Sequence, residues 1–237
     1  MRLYKVATEE ALGTLTASYM IGMMMQPHRV NMAITGGTSP KEVYKALIPQ
    51  VKGQAGFSNV HFYNFDEVPY ASEDQEGVTI SELRRVFLEP AGIAAENVHR
   101  LDQHNYLEQD DRIRRDGGLD LMLIGVGSDG HYCGNMPGTT TFNSWTSRVE
   151  LNQAAREQVV AEFSSGDLAD VPDYFVTMGP RSVMAAKNIL MIATGTRKQE
   201  IVKTLMAGKL DANVPATLLT LHPSFVLIAD EAACSLL

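Results

Sequence analysis

The sequence predicts an α/β protein built on an open, mainly parallel, Rossmann-like sheet with helices on both faces. Three observations predict it. Runs such as Val30–Ile34, 119–124 and Ile189–Ala193 are almost wholly apolar, as strands covered on both faces must be. Segments with helical character alternate with these runs, which implies parallel neighbours joined by crossover connections. The 237 residues hold no internal repeat, low-complexity run or Pro/Ser-rich linker, so one domain over 1–237 is expected.

The N-terminus, Met1-Arg-Leu-Tyr-Lys-Val6, enters structure directly and lacks a signal-peptide apolar region. A helix is expected over 8–25, capped by Thr8, with Glu9 and Glu10 in its first turn. Its Met20-Ile-Gly-Met-Met-Met25 run is too short to span a membrane and reads as core. The strand Val30–Ile34 leads into Thr35-Gly-Gly-Thr-Ser-Pro-Lys-Glu42. There Ser39 is the expected N-cap, Pro40 the first helical residue and Ser39-x-x-Glu42 a capping box, for a helix over 40–50. A strand at Val60–Asn64 and a helix over 79–88 follow. After a polar stretch come strands at 119–124 and Tyr174–Thr177, a helix over 181–187 and a strand at Ile189–Ala193. Thr196-x-x-Gln199 opens a helix over 197–207, and a last strand covers 224–229.

Ligands of open α/β sheets bind outside the carboxyl ends of the strands, so the residues after each strand carry the functional reading. In the first such loop, Gly36 and Gly37 let the backbone approach a ligand. Thr35, Thr38 and Ser39 offer hydroxyls there, and a helix N-terminus favours an anion. An ordinary turn explains the same residues, and no Walker-type Gly-Lys-Ser/Thr follows. Asp66 and Glu67, after Val60–Asn64, are candidate general bases or solvated loop charges. Asp129 and His131 follow the strand 119–124 in a glycine-rich turn, where a carboxylate can hold the imidazole's tautomer. Lys198 falls in a helix's first turn, where a cation opposes the macrodipole unless an anionic ligand is bound nearby. Together these loops set an anion cradle, a lysine, a carboxylate and a His/Asp pair at one end of one sheet. Of the remaining histidines, His28, His99 and His104 read as loop residues, His61 as a strand residue and His222 as structural.

Gly125-Val-Gly-Ser-Asp-Gly130 also satisfies G-x-G-x-x-G, with Glu150 about 20 residues on, as a dinucleotide fingerprint requires. The following Gly134-Asn-Met-Pro-Gly138 stops the helix such a site needs, which argues against a nucleotide. A net charge of −8 with no basic cluster argues against nucleic acid. Cys133 and Cys234 lack metal-type spacing and suit a reduced, cytoplasmic setting. No metal site and no membrane segment are expected, and the oligomeric state is left open.

In their order along the chain, these loops resemble the glucosamine-6-phosphate deaminase family, which shares its fold with 6-phosphogluconolactonases. Thr35-Gly-Gly-Thr-Ser-Pro40 resembles the family's phosphate loop. Tyr63-Asn-Phe-Asp-Glu67 resembles its F-N-x-D-E segment, and Gly125-Val-Gly-Ser-Asp-Gly-His131 its G-x-G-x-D-G-H segment. Thr196-Arg-Lys198 falls where the family places a phosphate-binding lysine, and Leu221-His-Pro223 recurs near the C-terminus. The resemblance implies a hexosamine 6-phosphate substrate, converted to a ketose 6-phosphate and ammonia without metal or organic cofactor. It implies Asp66 as the base moving a proton between C2 and C1, and His131 as the ring-opening group oriented by Asp129. It implies Thr35, Gly36, Gly37, Thr38, Ser39, Gly127 and Lys198 as the phosphate and substrate contacts.

Two departures stand out. The deaminases read D-G-H-x-x-x-N-E-P, and Met136 stands here at the glutamate. They also carry a phosphate-binding arginine upstream of the V-P before the Tyr174 strand, and Glu162 stands at that position. Arg148, Arg181 and Arg197 are the candidate replacements. The lactonases use D-G-H without the glutamate but place an arginine directly after Asp-Glu, where this chain has Val68. The resemblance therefore favours a deaminase or isomerase, with a lactonase and a non-catalytic sugar-phosphate binder as alternatives.

Overall fold

The computed structural model describes residues 1–70, 75–151, 156–157 and 173–237. Glu162, and the question of what replaces the arginine there, lies outside the described residues.

Ten strands are described. They are β1 (Arg2–Val6), β2 (Val30–Ile34), β3 (Val60–Asn64), β4 (Asp66–Glu67), β5 (Val98–His99), β6 (Leu121–Ile124), β7 (Ser147–Glu150), β8 (Tyr174–Thr177), β9 (Ile189–Ala193) and β10 (Phe225–Asp230). Seven of them form one sheet in the order β1-β10-β9-β6-β2-β3-β5, and every pairing in it is parallel. The expected Rossmann-like sheet is present, and its apolar strands have the reason anticipated. Alternate residues of each strand enter different cores. Met122, Ile124, Met191 and Leu227 join one hydrophobic cluster, while Leu121, Leu123, Leu190 and Ile228 join another. Side chains of successive strand residues point to opposite faces, so both faces are covered.

Among the described residues, the helices that frame the sheets are α1 (Glu9–Met24), α2 (Lys41–Val51), α3 (Val78–Leu83), α4 (Glu89–Ala91), α5 (Gln109–Arg115), α6 (Pro180–Met184) and α7 (Gln199–Met206). Thr8 caps α1 as expected, its hydroxyl accepting from the Ala11 amide at 3.2 Å. Met20 and Met24 are buried core residues. Gly13 is needed for packing: a Cβ there would lie 2.5 Å from the Glu42 carbonyl on α2. A π turn at Arg84–Leu88 joins α3 to α4, so the expected helix over 79–88 is one rod with a wider turn in its middle.

Four expectations need correction. Thr196 does not cap a helix: Thr196–Lys198 form a 3-10 turn, and Lys198 is the N-cap residue of α7, with no side chain bonding its first amides. Ser39 does not cap α2; Pro40 is the N-cap residue and no side chain bonds the first amides. Ser39 instead faces the next loop, where a Cβ on Gly125 would lie 3.4 Å from its Oγ. Tyr174–Thr177 is not part of the parallel sheet. It is the middle strand of a second, antiparallel sheet in the order β4-β8-β7, with Asp66 opposite Thr177 and Ser147 also opposite Thr177. His99 lies in strand β5 rather than in a loop, and its ring meets His61 at 2.9 Å. The residues of β1 form a strand pairing with β10 that the N-terminal sequence did not announce.

Candidate active site

The strand order places the site. From β2 the chain moves outward to β3 and β5, and then returns to the other side of β2 with β6. The loops after β2 and β6 therefore diverge from a switch point and leave a crevice between them. A cavity of about 480 Å³ occupies it. Its wall contains Thr35, Gly36, Gly37, Thr38 and Ser39, all from the first loop. Asp66, Gly127, His131 and Lys198 line it too. Asp129 is not on the wall but is bonded to His131. The loop after β2, Asp66, Gly127, the His131–Asp129 pair and Lys198 are thus brought together.

The loop after β6 is shaped around His131. Asp129 Oδ1 accepts from both the His131 backbone amide, at 3.1 Å, and its ring Nδ1, at 2.7 Å. With the Nδ1 proton held this way, Nε2 is the ring atom left to exchange protons. The hydrogen bond from His131 is the main reason the Asp129 carboxyl sits down at about 2, so it is ionised throughout the neutral range. Gly127 permits the arrangement by its size: a Cβ there would lie 2.2 Å from His131 Nδ1 and 2.4 Å from Asp129 Oδ1. Gly130 turns the chain at φ 86°, in the left-handed region that glycine tolerates.

The small antiparallel sheet forms the opposite wall. The Gly134 amide donates to Thr177 Oγ1 at 2.8 Å, and Asn135 Nδ2 donates to the Met178 carbonyl at 2.9 Å. A Cβ on Gly134 would lie 1.9 Å from the Phe175 ring. These contacts hold the loop after β6 against β8, and β8 pairs with β4, which carries Asp66. Base candidate and imidazole are thus positioned by one sheet.

Glu67 is the residue the sequence misjudged most. It is not a solvated loop charge but fully buried. Its carboxyl oxygens accept from the Thr79 amide at 2.7 Å, the Ile80 amide at 3.0 Å and Asn64 Nδ2 at 3.2 Å. It serves the start of α3, whose own N-cap residue, Gly77, has no side chain to do so. Burial pushes its carboxyl up to about 8, against the pull of those amides. A Cβ on Gly77 would lie 2.4 Å from this carboxyl group, so glycine is required for the approach. Asn64 fastens the end of β3, accepting from the Leu101 amide at 2.7 Å and donating to the Leu101 carbonyl at 3.1 Å.

Of the three candidate replacements for the missing arginine, Arg197 lines the cavity beside Lys198. Arg148 is engaged elsewhere, paired with Glu150 at 2.8 Å and 3.7 Å over the Tyr174 ring. Arg181 lies 4.4 Å over the Trp145 ring. Met136 also lines the cavity and packs on the apolar group of Val68, Val78, Val149, Leu151 and Phe175. His222 is structural, as expected: it is buried, with Nε2 2.8 Å from the Ala186 carbonyl and Nδ1 accepting from the Ser224 amide. Among the described residues, no three His, Cys, Asp or Glu side chains converge as a metal ion would need. Among the same residues, no helix is long and apolar enough to cross a membrane.

With this geometry in hand, comparison with known proteins decides the family. The family model for glucosamine-6-phosphate isomerases/6-phosphogluconolactonase matches residues 5–227. The chain belongs to this family. A glucosamine-6-phosphate deaminase of Clostridium perfringens is 32% identical over 249 residues, covering 100% of both chains. A solved structure described as a monomeric glucosamine-6-phosphate deaminase superposes with a TM-score of 0.86 at 26% identity, over 100% of each chain. The 6-phosphogluconolactonase of Thermotoga maritima shares the fold at a TM-score of 0.75 and 17% identity, over 97% of this chain and 99% of that one. The family therefore includes the deaminase branch to which the chain is similar in sequence, and a lactonase branch that it resembles in fold.

Proposed function

We propose that the chain is an amino sugar phosphate deaminase. It would convert a hexosamine 6-phosphate and water to a ketose 6-phosphate and ammonia. The observation that carries the proposal is the shared cavity: Asp66, the His131–Asp129 pair, the loop after β2 and Lys198 all meet there, in a chain whose relatives are named deaminases.

In this reading the 6-phosphate is held by the hydroxyls and amides of the loop after β2, with Lys198 and Arg197 supplying positive charge. His131 Nε2 moves the proton that opens the pyranose ring. Asp129 keeps the ring in position and stabilises it when it is charged. Asp66 removes the C2 proton of the open-chain aldehyde and returns it to C1. The product is an imine at C2, which water hydrolyses to the ketose and ammonia. Proton transfer of this kind needs a carboxylate and an imidazole, both of which the cavity wall carries. The two cysteines are unbridged, which suits a cytoplasmic setting.

A specific feature favours this over lactone hydrolysis. The residue after Glu67 is Val68, an apolar side chain on the cavity wall, where the lactonase pattern has arginine. The test is turnover by the purified chain on a panel of sugar phosphates. Ammonia released from glucosamine 6-phosphate or galactosamine 6-phosphate supports the proposal. Acid release from 6-phosphogluconolactone without ammonia release from either amino sugar would replace it with the lactonase reading.

A further inference from the structure

The loop after β2 already contains an anion. Glu82, on α3, directs Oε2 at the Gly37 amide at 3.1 Å. A Cβ built on Gly36 would lie 3.4 Å from the same oxygen. Tyr44, buried beneath the loop, donates its hydroxyl to the Thr35 carbonyl at 2.5 Å. Its ionisation is pushed up by burial first and by the nearby Glu82 charge second. A carboxylate thus sits within the hook of residues 35–39, which also line the cavity. Its cationic neighbour, Arg85 at 3.6 Å, is 74% exposed and so neutralises it little.

We propose that Glu82 sets the affinity of the phosphate cradle, as an internal carboxylate that competes with the ligand for the Gly37 amide. This rests on the sugar-phosphate reading of the cavity. A phosphate seated on the loop needs backbone donors. It either displaces Glu82 from Gly37 or sits beside it as a second anion, and both weaken phosphate binding. A phosphate group alone then holds poorly. The sugar must supply the remaining affinity through the Asp66 and His131 side of the cavity. Free inorganic phosphate, with no sugar to add contacts, is then held weakly on the loop.

The experiment measures Kd for inorganic phosphate and for fructose 6-phosphate by calorimetry, with the full chain as parent, Glu82→Gln and Lys198→Ala. The glutamine keeps the size of the side chain and can still accept from Gly37 through its carbonyl, but it carries no charge. Glu82→Gln is expected to tighten inorganic phosphate about tenfold, the scale of one hydrogen bond to a charged group. Fructose 6-phosphate, whose phosphate takes the same donors, should tighten by a similar factor. Glu82→Met is the second uncharged variant, to be used if the glutamine form does not fold. A purely structural role for Glu82 predicts unchanged or weaker binding, and that result overturns the proposal. Lys198→Ala separates the two levels of the argument. If it weakens both ligands and Glu82→Gln does not tighten phosphate, the Glu82 proposal alone fails. If Lys198→Ala leaves both Kd values unchanged, the phosphate reading of the site fails.

Discussion

Replacing Asp66 by asparagine removes a base while leaving its surroundings intact. Asp66 is held by its backbone: it pairs with Thr177 across the small sheet, and its carbonyl accepts from Asn64 Nδ2 at 3.0 Å. An asparagine keeps these backbone contacts, so the fold and the cavity wall should survive. The loss then falls on proton transfer. A positioned general base contributes about 10²–10⁴-fold in rate, equivalent to roughly 3–5 kcal/mol of barrier. Binding should not suffer, because the ligand is an anion and the change removes a negative charge from the wall that it shares with Asp66. The assay uses fructose 6-phosphate in deuterium oxide, with deuterium incorporation at C1 followed by NMR. It reports the C1 proton transfer without requiring ammonia, and a separate titration gives Kd. The expected result is exchange slowed at least 100-fold with Kd unchanged or smaller. Exchange at the parental rate would show that another group is the base. Loss of binding together with exchange would show that the residue holds the site open rather than moving the proton.

Three further outcomes are expected. Gly127→Ala forces the His131 ring and Asp129 carboxylate apart from their present positions, since the new Cβ would lie 2.2 Å from Nδ1. A displacement of about 1 Å at a reacting group costs about 10²-fold, so kcat for ammonia release should fall on that scale while the Kd for fructose 6-phosphate holds. The Glu67 carboxyl, pushed up to about 8 by burial from an ordinary 4.5, makes stability depend on pH. Between those values the folded chain keeps a proton that the unfolded chain releases, so stability falls as pH rises through the window. Urea midpoints at about pH 5 and about pH 8 should show the decline in the parent, and a flatter profile in Glu67→Gln; equal slopes would contradict the assignment. Met136→Glu places a carboxylate on the cavity wall that His131 shares. It should raise ammonia release at the cost of packing against Val68 and Phe175, read as a Tm lower by several degrees.

The sequence made the parallel sheet legible because buried strands must be apolar on both faces, and β2, β6 and β9 carry no other pattern. It made the loop residues legible because glycines, hydroxyls and titratable groups after such strands are brought to one edge by topology alone. Other features depend on pairings between distant segments. Tyr174–Thr177 is as apolar as the parallel strands, and nothing in its composition tells that it pairs with β4 and β7 instead. Ser39 and Glu42 have capping-box spacing, but Ser39 is drawn toward Gly125, and Pro40 takes the cap position. Glu67 looks like a loop charge until α3 brings the Thr79 and Ile80 amides onto it. Glu82 gives no signal at all, since only the packing of α3 on the loop after β2 shows that it reaches Gly37.

The central claim is that one cavity holds base, imidazole and phosphate cradle in register for a hexosamine 6-phosphate. A crystal structure of the chain with the open-chain analogue 2-amino-2-deoxyglucitol 6-phosphate tests it most directly. The phosphate is predicted to lie on the amides and hydroxyls of residues 35–39 with Lys198 against it. The C1–C2 end should lie within hydrogen-bond or proton-transfer reach of the Asp66 carboxylate, and His131 Nε2 should be near the C5 hydroxyl. A phosphate bound away from that loop, or a C1–C2 end turned from Asp66, would contradict the account.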